Sequence, residues 1–133
     1  MAQASFASAL ERREEITIAV RGRRTGKTIT LPVWFVHDRA TLWLLPVRGS
    51  RSQWFKNVVA TPTITVRAGR QRQTLPAYPV RDARTVRAVV RKFQAKYTPA
   101  EIARYYDVFD AAVRVPLGTA ARSRRTRGSR RPA

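Results

Sequence analysis

The chain has no cysteine, one histidine (His37) and, beyond Met1, no methionine. Without thiols there is neither a disulfide framework nor thiol chemistry, and a single imidazole cannot build the usual Cys/His zinc site. Acids are scarce as well: eight Asp and Glu stand against 27 Lys and Arg, giving a formal net charge of +19. Paired-carboxylate catalysis has little to draw on, because Glu11, Glu14, Glu15, Asp38, Asp82, Glu101, Asp107 and Asp110 fall mostly on helix faces or caps. Long apolar runs are also missing. None approaches the roughly 20 residues that span a bilayer, and the first fifteen residues hold no apolar core of signal-peptide length. A cytoplasmic protein with no membrane span is expected, and its excess of cations favours a phosphorylated cofactor, nucleic acid or an anionic surface as partner.

What is present fits one domain of 133 residues, long enough for a real core and too short for two. Phe6, Ala9, Leu10 and Arg13 fall at helical spacing, so residues 1–14 are expected to form an N-terminal helix. A strand over Ile16–Val20 and a second from Thr28 to about Val36 flank the glycine-bounded turn Arg21–Lys27, a hairpin with a basic tip. His37–Ala40 reads as a turn, Thr41–Val47 as a third strand and Ser50–Ala60 as an amphipathic helix. Thr63–Arg67 and Gln71–Val80 read as a hairpin closed by Ala68, Gly69 and Arg70. Pro32, Pro46 and Pro76 in or beside these strands imply edges, bulges and a strongly bent sheet. Asp82 is a good N-cap for a helix to Tyr97 with Val86, Val89, Val90, Phe93 and Tyr97 on one stripe. Thr98, Pro99 and Glu101 form a capping box for a second helix to about Asp107, and Val108–Leu117 returns to strand character. Residues 118–133 carry six arginines and no large apolar side chain, the composition of a disordered tail. Subtracting those six from +19 leaves +13, so the positive field belongs to the domain at 15–117 too.

No side-chain catalyst stands out. His37 lies in the expected turn beside Asp38 and Arg39 with no serine elbow nearby, and an exposed turn histidine is the simpler account. If the protein is an enzyme, a cofactor brings the reactivity. Two turns suit an anionic cofactor. Arg21, Arg23, Arg24 and Lys27 crowd the first, where guanidinium forks can grip phosphate oxygens. The corner Arg48, Gly49, Ser50 is the second; it opens a helix, whose start offers unpaired N–H groups to an anion. The competing account is that both are ordinary solvated basic turns. Trp34 and Trp43 look like sheet packing, whereas Trp54, one turn into the helix, is placed to border a flat heterocycle. Tyr97, Tyr105 and Tyr106 are taken as core or surface.

Gly22–Lys27, Leu31–Val36, Arg48–Ser50, Trp54–Asn57 and Thr61–Pro62 together resemble the deazaflavin-dependent nitroreductase and quinone reductase family. That family is a branch of the split β-barrel, flavin-binding superfamily that includes pyridoxamine phosphate oxidase. The resemblance covers roughly residues 15–117. It implies a mainly β split barrel with packed helices, binding a deazaflavin coenzyme of the F-420 type, or FMN as the alternative. The activity implied is hydride transfer to a quinone, nitroaromatic or other electron-poor small molecule. By position, Arg23, Arg24 and Lys27 would meet the cofactor's phosphate and acidic tail. Pro32, Leu45, Pro46 and Val47 would line the ring site, Arg48, Gly49 and Ser50 would hold the phosphate, and Gln53, Trp54 and Asn57 would border the deazaflavin or its side chain. Where the family often has Pro-Arg, this chain has Thr28 and Ile29, which removes a cation facing the tail. A homodimer is implied by resemblance only.

Two other classes remain open from the residues alone. One is a nucleic-acid-binding module that uses the charge and the tail at 119–133. The other is a split barrel that binds a ligand without turning it over.

Overall fold

The computed structural model describes residues 2–117, so the expected arginine-rich tail lies outside the described residues. The elements are α1 (Ala2–Glu11), β1 (Glu15–Arg21), β2 (Thr28–Asp38), β3 (Thr41–Leu44), a 3₁₀ turn (Gly49–Arg51), α2 (Gln53–Ala60), β4 (Thr63–Ala68), β5 (Gln71–Pro76), β6 (Tyr78–Val80), α3 (Ala83–Tyr97), α4 (Pro99–Tyr105) and β7 (Ala112–Pro116). The strands form one antiparallel sheet in the order β5-β4-β1-β2-β3-β7-β6.

That order forces the barrel. β5 and β6 are separated in the chain by Ala77 alone, yet they occupy opposite edges of the sheet. Six inter-strand steps of about 4.8 Å would part the edges of a flat sheet by roughly 29 Å, far beyond the reach of one residue. The sheet therefore curls until its edges meet, and the result is a split β-barrel with helices packed on it. Ala77, fully buried, is the corner, and its N–H donates to Pro62 O at 3.1 Å. The single strand expected over Gln71–Val80 is corrected here to two. Pro76 and Pro79 flank the corner and have no N–H to continue a ladder.

Period-two alternation decides what faces inward. Ile16, Ile18 and Val20 of β1, Phe35 of β2, Leu42 and Leu44 of β3, Ile64 and Val66 of β4, and Val113 and Val115 of β7 fill the barrel. Phe6 and Leu10 of α1 and Trp54, Phe55 and Val58 of α2 join the same cluster, so the N-terminal helix is part of this core. A second cluster lies outside the barrel wall, where Val86, Val89, Phe93 and Tyr97 of α3 and Ile102 of α4 cover Val36, Leu45, Trp34 and Trp43. Trp34 stacks on Tyr97 with centroids 4.3 Å apart. The buried Tyr97 hydroxyl lies 2.6 Å from Glu14 O and 2.8 Å from Phe35 O and accepts from Phe35 N, pinning α3 to β2 and to the residue just before β1. Desolvation pushes its pKa up to about 12.

The expected helix caps are observed. Asp82 accepts from Thr85 N at 2.9 Å, and Thr98 Oγ1 from Glu101 N at 3.2 Å. No helix among the described residues is long and apolar enough to cross a membrane.

Candidate functional site

The hairpin between β1 and β2 is built by local geometry. Gly22 N donates to Lys27 O and Gly26 N to Gly22 O, both at 2.8 Å, and Gly26 takes the left-handed φ of +75° that other residues resist. The tip folds onto α2. Arg23 donates to Asn57 Oδ1 from its backbone N (3.1 Å) and its Nη1 (2.8 Å), and Nη2 reaches Gln53 Oε1 at 2.9 Å. Asn57 is 3 % exposed, so Arg23 satisfies an amide oxygen that would otherwise be buried without a partner. Three residues expected at one site do converge there: Arg23 meets Gln53 and Asn57, 30 and 34 positions away in the chain. With Arg24, Thr25 and Ile29 they line a cleft of about 260 Å³. Arg24 and Lys27 are exposed, and neither makes an ion pair among the described residues. These side chains fit an anion.

The second turn is built differently. β3 ends at Leu44, three residues short of the expectation, because Pro46 cannot donate to a ladder and its carbonyl instead accepts from Gly49 N at 3.0 Å. Gly49, at φ +57°, leaves room for Asp110: a Cβ there would collide with the Asp110 carboxylate. That carboxylate accepts from Ser50 N at 2.7 Å and from Ser50 Oγ at 2.6 Å, and Arg81 Nη2 stands 3.5 Å away. These bonds to Ser50, then the Arg81 charge, hold the Asp110 carboxyl below its ordinary 3.8. The corner does attract an anion, but the anion is the chain's own side chain. Here an external phosphate does not fit unless Asp110 moves. α2 accordingly starts at Gln53 rather than Ser50, with Arg48 N donating to Ser52 Oγ at 2.9 Å. β7 starts at Ala112 rather than Val108, because Asp107 and Val108 donate to Val47 O.

The expected ring-lining residues are distributed unevenly. Leu45 is 3 % exposed and belongs to the α3/α4 cluster, and Pro46 is buried. Val47 and Pro32 are exposed, Pro32 on the outer side of β2 opposite Thr17. Trp54 lies in the barrel core at 8 % exposure, so it supports α2 from beneath rather than offering its face to a ligand. His37 is not in a turn: it pairs with Leu42 at the end of β2. The sequence reading missed Asp110, Ile29 and Thr25. Asp110 is 60 positions from Ser50, and no local pattern signals such a contact.

The chain matches the family model described as F420H(2)-dependent quinone reductase over residues 2–115. No curated protein matches it. Among solved structures, it is similar to an F420-H2 dependent reductase at 22 % identity and TM-score 0.59, over 77 % of this chain and 94 % of that one. It also resembles a Listeria innocua protein assigned as a pyridoxamine 5′-phosphate oxidase (11 % identity, TM-score 0.64, 86 % and 92 % covered). A third similar structure is described as a domain-swapped dimer (20 % identity, TM-score 0.59, 85 % and 95 % covered). With nearly all of the described residues inside that family model, and a curled sheet carrying a cationic hairpin docked on α2, the chain belongs to the F420H2-dependent quinone reductase family, deazaflavin-dependent oxidoreductases on a split β-barrel.

Proposed function

We propose that the protein passes hydride from a reduced deazaflavin of the F420 type to a quinone, nitroaromatic or similarly electron-poor acceptor, with the hairpin end of the barrel as the cofactor's anchor. The docking of this hairpin on α2 carries the reading. Arg23 is engaged by Gln53 and Asn57, which leaves Arg24 unpaired on an open cleft and Lys27 unpaired on the same hairpin. When bound, the deazaflavin supplies the hydride chemistry. Arg24 and Lys27 take the phosphate and acidic tail by charge-assisted hydrogen bonds. Arg23 fixes the hairpin against α2, and Gln53 and Asn57 border the cleft. Pro32 and Val47 offer exposed apolar contact to a flat ring, while buried Leu45 and Pro46 shape the wall behind them and exclude water. Arg48 adds an exposed cation, and Ser50 reaches an anion only when Asp110 releases it.

Fluorescence titration of the full-length chain with F420H2, and separately with FMN, tests the anchor; absorbance of F420H2 with menadione tests turnover. Deazaflavin saturation far below the millimolar range, a weak roughly −4 kcal/mol, is expected, with menadione-dependent oxidation. Preference for FMN would replace the cofactor, saturation without oxidation would leave a ligand carrier, and no saturation would remove the reading.

A homodimer belongs to the same proposal. The outer face of β1, β2, β4 and β5 carries Thr17, Thr30, Thr65 and Thr74 around Ala19, with Arg67 and Arg72 at its border. Sedimentation as a monomer would count against it.

A further inference from the structure

We propose that the opposite end of β2 holds a second ligand site, for a small carboxylate with an apolar body, in the cavity between α1, β2, the turn at Arg39 and α3. The cavity is about 460 Å³, within the range of small-molecule sites. β2 runs eleven residues from the hairpin to this end, roughly 33 Å at strand rise, so the cavity is separate from the cofactor anchor.

Its walls have two characters. Leu10, Phe35, Val36 and Ala95 are its apolar lining, and His37, Arg39 and Lys96 are basic residues contributed by β2, the turn and α3. The acids nearby do not reach two of these cations, Arg39 and Lys96, at ion-pair distance. Asp38 is bound by Lys92 at 2.7 Å, which holds its carboxyl below the ordinary value. Glu11 stands on the wall, and Glu14 acts on Lys96 only from beyond ion-pair distance. Among the described residues neither Arg39 nor Lys96 has a carboxylate partner.

Lys96 is the centre of the site. Its stem is exposed while its ammonium is drawn in, donating to Phe35 O at 3.0 Å and lying 3.5 Å over the Phe35 ring. An ammonium has three donors, and the carbonyl takes one. Desolvation lowers its pKa to about 8, with Glu14 opposing weakly. A partly dehydrated cation with no carboxylate at ion-pair distance is the group that a ligand carboxylate would complete. Arg39, held at φ +59° in the left-handed region, places a second cation at the mouth. The apolar lining then accepts a ring or branched chain of benzoate size.

Benzoate, acetate and inorganic phosphate titrated into the full-length chain, followed by NMR of backbone amides and lysine side chains, test this. The groups facing Lys96 are Glu11 and Glu14, His37 and Asp38 on β2, Arg39, and Lys92 on α3, so their resonances are followed together. Benzoate should saturate with shifts confined to 10–11, 35–39 and 92–96, raise the Lys96 pKa, and bind more tightly than acetate or phosphate. Arg39→Gln, at an exposed turn, and Lys96→Gln should each weaken benzoate about ten- to hundredfold, the loss of one charge-assisted bond. Arg24→Gln should not affect it. Three results would overturn the proposal: no saturation in the tens of millimolar, shifts centred on the hairpin, or binding unchanged by both substitutions. Equal binding of acetate and benzoate would remove the apolar body from it.

Discussion

Two turns in this molecule, Arg21–Lys27 and Arg48–Ser50, carry the same chemistry in sequence, glycine beside arginine at the mouth of a structured element, and end in opposite states. At the hairpin, one arginine is taken inward by neutral amides, and its neighbours Arg24 and Lys27 stay exposed without an ion pair among the described residues. At the corner, the donors themselves are taken, by the carboxylate of Asp110. At the corner the fold delivers an internal carboxylate, and at the hairpin it delivers only neutral amides.

The largest effect on this contrast should come from Asn57→Ala. It leaves the Arg23 donors facing a buried gap, and about 2–3 kcal/mol of stability should be lost in urea unfolding, with cofactor binding lost as the hairpin undocks. If stability holds and binding survives, the hairpin is not anchored as described. Next is Arg24→Gln with Lys27→Gln. Both side chains are solvated and unpaired, so the melting temperature should stay within a degree or two. Affinity for F420H2 should fall about ten- to hundredfold in the fluorescence titration.

A smaller effect is expected from Asp110→Ala. Removing the internal anion frees Ser50 N and Oγ, and inorganic phosphate should then bind the corner measurably, with Ser50 as the NMR reporter. The cost in stability should be modest, since Asp110 is 41 % exposed and solvent screens it. Phosphate that still ignores the corner would make that turn a purely structural clamp. The smallest effect is on acid stability. The Asp110 pKa is lower folded than unfolded, so its contribution is complete above about 3.8 and fades as pH falls through the folded value. Wild-type and Asp110→Ala unfolding curves should therefore converge in acid and separate toward neutrality.

Much of the frame was legible locally. The period-two apolar positions of β1 and β4, the stripe on α3, the Asp82 and Thr98 caps and the Gly26 turn all depend on residues within a few positions of one another. The break at Ala77 was half legible: Pro76 signalled an edge, but nothing nearby said that β6 would pair with β7 on the far side. Trp54 shows the other limit. Its place near the helix start suggested a ligand platform, and the inward turn of α2 put the ring in the core instead.

The chain's own pattern thus determined the elements, their inward faces and the two anion-seeking turns, because hydrogen-bonding and steric preferences act between neighbours. Which turn met an internal carboxylate was decided only by the closed barrel. Closure brought Asn57 to Arg23 and Asp110 to Ser50 across 34 and 60 positions, and chain order places no constraint on which side chains meet at such a range.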